Sequence, residues 1–120
     1  MTGVGGGGGA GGGGGGGGGG ASAALVGTWR HVSTLITSNG ETIVSDTRWT
    51  FGSDRTCSKV VIQTFVIAGF ETTDVRPCTF TPASTSVRIV FDGSSVPVTF
   101  SVSFSNGNLI LDGFVFTRLG

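Results

Sequence analysis

Three kinds of residue in this 120-residue chain could carry chemistry: one histidine, two cysteines and seven carboxylates. As a general base, His31 would need a nucleophile and an orienting group, and no motif supplies them. Its place two residues after Trp29, on the same parity, predicts a histidine near a barrel end, hydrogen-bonded or solvated. Glu41, Asp46, Asp54, Glu71, Asp74, Asp92 and Asp112 fall mostly at turn-forming positions, where solvated turn chemistry is the ordinary reading. G-x-S-x-G, H-E-x-x-H, Walker A and EF-hand spacings do not occur. We expect no enzyme, no catalytic residue and no cofactor. Cys57 and Cys78 cannot build a four-ligand zinc site, and no C-x-x-C exists, so no metal centre is expected. They read either as a cross-strand disulfide or as two inert buried thiols. The disulfide is the reading adopted, and it implies an oxidising compartment and an exported protein.

What remains for binding is apolar, and its position depends on the elements that carry it. Sixteen of the 24 glycines fall in the first 20 residues. Such a run predicts a disordered tether over residues 1–22 and one domain over 23–120. The tract matches G-x-G-x-x-G repeatedly, but with no preceding strand or following helix the match carries no dinucleotide reading. Valine, isoleucine, threonine, phenylalanine and tryptophan make up 45 of the 98 residues in 23–120. Side chains branched at Cβ or aromatic suit a pleated, half-buried surface, so the domain reads as all-β. Seven basic and seven acidic groups cancel without clustering, which excludes a polycationic nucleic-acid binder. No apolar run is long enough to span a bilayer as a helix. The start of the chain lacks the charged and apolar regions of an export signal.

The C-terminal half has the clearest pattern. Val96, Val98, Phe100, Val102 and Phe104 alternate with polar residues or proline, a period of two with one apolar face. Asn106-Gly107 then closes a two-residue hairpin that sets Phe104 opposite Leu109. Asp112-Gly113 closes another, pairing Leu111 with Phe114 and bringing Phe116 and Arg118 to the same face. Working backwards, the Asp92–Ser95 turn joins Phe91 to Val96 and adds Ile89 and Val87. The Pro82–Thr85 loop sets Phe80 opposite Val87. Turns and alternation are independent signals, and they agree on one face through five strands.

Earlier strands are read at 27–37, 41–52, 56–67 and 70–81, and the later ones at 86–91, 96–105, 108–112 and 114–119. Pro77 cannot donate to a ladder, so an edge or a bulge is expected there. The segment 56–67 is apolar on both parities, and its inward face is left unassigned. Residues 23–26 are expected to form the only helical turn. Eight up-and-down antiparallel strands with one greasy face are best satisfied by closing into a barrel, which removes both exposed edges.

Leu25-Val26-Gly27-Thr28-Trp29 resembles the G-x-W signature of lipocalin-like (calycin) barrels, where a helical turn enters the first strand. The family packs a last-strand arginine against that tryptophan. Phe116-Thr117-Arg118 ends the eighth strand here, and its register turns Arg118 inward. Trp49-Thr50-Phe51 and Asn108-Leu109-Ile110-Leu111 also resemble small bacterial lipocalin-like domains. The resemblance spans 23–120, but it lacks the C-terminal helix of full lipocalins. Avidin-like barrels and small calycin protease inhibitors share Gly-Thr-Trp as well. Gly27, Trp29 and Arg118 are thus expected to form a structural clasp.

Trp49, Phe80, Ile89, Phe91, Phe100, Phe104, Phe114 and Phe116 are the lumen candidates. They either interdigitate into a dry core or leave a pocket for a small hydrophobic ligand. The functional expectation is non-enzymatic binding of an apolar molecule in the barrel. The alternative is an exported protein-binding or inhibitor module that acts through its loops. Nothing in the composition specifies an oligomeric state.

Overall fold

A computed structural model describes residues 23–120; the expected tether lies outside the described residues. Residues 23–25 form a helical turn. Eight strands follow: β1 (Gly27–Ile36), β2 (Thr42–Phe51), β3 (Thr56–Phe65), β4 (Phe70–Pro82), β5 (Ser86–Phe91), β6 (Val98–Ser105), β7 (Asn108–Leu111) and β8 (Phe114–Arg118). Each pairs with the next, and β8 returns to β1, giving a closed antiparallel barrel.

Both predicted two-residue hairpins are present. Asn106 and Gly107 have φ of 54° and 79°, and Asp112 and Gly113 have 53° and 88°. Positive φ at both central residues gives the twist that flanking strands need. Phe104 lies opposite Leu109, which in turn faces Phe116, and Leu111 faces Phe114. The β4–β5 register differs from the expected one. Phe80 lies opposite Ile89, and Val87 opposite Pro82, because β4 runs on to Pro82 before a tighter turn. The shift is two residues, so side chains keep their face. The sixth strand begins at Val98 rather than Val96, since Pro97 cannot donate to a ladder.

Register also assigns the segment that periodicity left open. Phe51 pairs with Cys57, and Cys57 with Cys78, so Cys57, Lys59, Val61, Gln63 and Phe65 share the inward face of β3. Val60 and Ile62 lie on the outer face. Pro77 sits where β4 is an edge, since pairing with β5 begins only at Cys78. Its carbonyl accepts from Asp92 N–H on that side. A strand residue's N and C=O point the same way, so the missing donor costs no ladder bond to β3.

The barrel is lopsided. β1–β2 and β3–β4 each run for ten pairs, whereas β8–β1 has two. Beyond Arg30 and before Cys78, β1–β4 therefore project as a four-stranded blade. Its two tips are tied by Glu41, whose carboxylate accepts from the N–H groups of Thr42, Ile67 and Ala68. The core fills the opposite, closed end, where Leu25, Trp29, Phe51, Val87, Ile89 and Leu109 are essentially inaccessible.

Candidate functional site

The closed end is held by the expected clasp. The Arg118 guanidinium lies 4.3 Å from the Trp29 ring centre. It donates to the carbonyls of Ala24 and Val26 at 2.8 and 3.0 Å. Trp29 Nε1 donates to the Leu25 carbonyl at 2.9 Å. Gly27 has φ of 138°, and a Cβ there would sit 2.5 Å from the Arg118 guanidinium and 2.6 Å from the Gly120 carbonyl. The glycine of the G-x-W pattern is thus required by close approach and by backbone conformation together. Cys57 and Cys78 are bonded.

One level above this plug the filling changes. Trp49 stacks on Phe51 with ring centres 5.5 Å apart, and meets Phe100 edge-on at 5.9 Å. Beyond Trp49 the next inward residue of β2 is Thr47, and beyond Trp29 and His31 that of β1 is Ser33, both short side chains. A cavity of about 290 Å³ results, lined by His31, Ser33, Thr47, Trp49, Lys59, Phe100, Leu111, Asp112, Phe114 and Phe116. The barrel is dry at the clasp and hollow beside the blade.

Of the lumen candidates, Trp49, Phe100, Phe114 and Phe116 border this cavity. Phe80 and Ile89 do not: they are 3% and 0% exposed within the closed core, with no room for a guest. Phe91 backs Trp49 at 6.1 Å, behind the wall, whereas Phe104 packs at 6.1 Å on Trp29 in the plug and is partly exposed.

Six lining residues are not among the lumen candidates: His31 and Leu111, both placed on the inward parity by the sequence, and Ser33, Thr47, Lys59 and Asp112. His31 is hydrogen-bonded as expected, with Nδ1 2.8 Å from the Val115 carbonyl. A carbonyl only accepts, so the proton sits on Nδ1. This bond continues the link between β1 and β8 just past the end of their ladder. The imidazole also packs near the rings of Phe114 and Phe116, 5.5 and 5.3 Å away. Lys59 lies with Nζ 5.6 Å from the Trp49 ring centre. No cluster of metal-ligating side chains occurs among the described residues.

No family model, curated protein or solved structure matches the chain. The architecture itself, a closed eight-stranded antiparallel barrel, is consistent with a calycin-like fold. No helix among the described residues is long and apolar enough to cross a membrane.

Proposed function

We propose that this is a lipocalin-like, non-enzymatic binding protein that takes one small, largely apolar molecule into the cavity beside Trp49. The observation that carries the reading is the cavity itself: about 290 Å³, with Trp49, Phe100, Leu111, Phe114 and Phe116 in its walls. That volume lies just below the roughly 300–1,000 Å³ of small-molecule sites. It suits a one- or two-ring body better than a long acyl chain. The Cys57–Cys78 bond supports an exported setting for this activity.

Titration with the neutral fluorophore N-phenyl-1-naphthylamine, read by its own emission and by tryptophan quenching, tests the reading. Saturable one-to-one binding that falls in Phe100→Ala is expected. Silence across a panel of neutral apolar probes would remove it.

A second reading rests on the blade tip, where Leu35, Ile36, Val66, Ile67 and Phe70 are exposed. Apolar side chains gathered and exposed at a tip suit a protein partner, with the barrel as support. In that case Ile36→Ser with Ile67→Ser abolishes partner capture and leaves probe binding intact.

A further inference from the structure

The two walls of the cavity differ in chemistry. β6–β8 contribute Phe100, Leu111, Phe114 and Phe116, whereas β1–β3 contribute His31, Ser33, Thr47 and Lys59 around the indole of Trp49. We infer that Lys59 makes the cavity a receptor for a monoanion carried on a small aromatic body, such as an arene carboxylate. This rests on the cavity being the binding site, and it adds a charge preference to that reading.

Lys59 is the chain's only lysine, and it stands on the inward face of β3 between Trp49 and Arg76 in the ladder. The nearest inward carboxylate by register is Asp74, opposite Val61 on the adjoining strand. Arg76 takes that carboxylate at 3.1 Å. Lys59 is left without an ion pair among the described residues, its ammonium over the indole of Trp49. A cation so placed, half-buried on an aromatic floor, is stabilised by an incoming anion more than a solvated surface lysine would be. The hydroxyl of Thr47 lies on the neighbouring strand of the same wall and provides a neutral donor. The aromatic wall opposite accepts the ring. Asp112 is the one carboxylate on the rim, exposed on the β7–β8 turn, where solvent and salt screen it. It disfavours a second negative charge and does not neutralise Lys59.

The test is a matched naphthalene series: 1-naphthylacetate, 2-(1-naphthyl)ethanol and 2-(1-naphthyl)ethylamine, each displacing N-phenyl-1-naphthylamine from the full chain. The acetate is expected to bind about tenfold more tightly than the alcohol, the amine more weakly than either. Salt should weaken the acetate alone. Lys59→Met should erase the difference between acetate and alcohol, and Lys59→Arg should retain it. Equal affinity of acetate and alcohol, or a preference that survives in Lys59→Met, overturns the inference while leaving the binding reading intact. Tighter binding of the amine overturns it in favour of Asp112. If none of the three binds and the neutral probe is silent, both readings fall together.

Discussion

The Arg118 side chain covers the indole of Trp29 at 4.3 Å and reaches past it to the carbonyls of Ala24 and Val26. One residue of the last strand thus holds the entry turn, the first strand and the plug of the closed end. The direct β1–β8 ladder is two pairs long, with added bonds through Thr28, Leu119 and Gly120. Arg118→Ala is therefore expected to lower stability by about 1–2 kcal/mol, through removal of the cation–π interaction and two hydrogen bonds. Arg118→Lys should recover only part of this, since one ammonium cannot serve both carbonyls and the ring face. Thermal melts followed by circular dichroism decide it. An unchanged midpoint for the alanine variant would count against the clasp.

Gly27→Ala is expected to be worse than its size suggests. The new methyl would meet the Gly120 carbonyl, which is backbone and cannot swing aside as a side chain can. With the strain of a positive φ, the cost is about 2–4 kcal/mol. A control at Gly40, whose Cβ position is open, keeps the φ strain without the clash. Gly40→Ala should cost distinctly less in urea denaturation; equal losses would mean that close approach at Gly27 is immaterial.

The Cys57–Cys78 bond joins neighbouring strands across a separation of 21 residues. Restricting the unfolded chain over that length contributes about 3 kcal/mol. Alkylation without reductant should add no mass to the intact protein, and two alkyl groups after reduction. The Cys57→Ala, Cys78→Ala double variant should unfold at correspondingly lower urea concentration. Two alkyl groups gained without reductant would show free thiols.

Acid should destabilise the fold through three carboxylates. Burial pushes the Asp46 carboxyl up, but hydrogen bonds and charge from Arg48 and Arg30 more than offset it, and the net direction is down. The Ile67 N–H, joined by those of Ala68 and Thr42, holds Glu41 below its ordinary value despite some desolvation. The hydroxyl and N–H of Thr56 do the same for Asp54. Groups depressed in the folded state contribute stability that is present above their unfolded values, about 4, and lost as pH falls through the lower folded ones. The melting temperature should change little from pH 7 to about 5 and fall between about pH 4 and 2. Asp46→Asn should make that acid limb shallower; an identical limb in the variant would exclude Asp46 as a contributor.

The parts of this fold visible in the sequence are those where two local signals agree. Asn106-Gly107 and Asp112-Gly113 dictate hairpin geometry, and the alternation beside them dictates a face. Phe104, Leu109 and Phe116 thus fall in one line on sequence grounds alone. The β4–β5 turn has no such dipeptide, and its register lies two residues from the expected one. The cavity was only half legible, for a related reason. Its aromatic wall lies on strands with clean alternation. Lys59 lies in a segment apolar on both parities, where only the pairing of Phe51 with Cys57 and of Cys57 with Cys78 reveals which way it points. Ser33 and Thr47 were invisible because their contribution is a shortage of volume, which depends on what stands opposite.

The brevity of the β8–β1 ladder has a mechanical consequence. A sleeve whose wall is stitched by nine or ten rungs through β1–β4 and by two to four from β5 round to β1 loosens in its thin half before its thick one. His31, bridging to Val115 just past the last rung, is the stitch nearest the hollow. Loosening there would bare the flank beside the hollow, with the plug around Trp29 left in place.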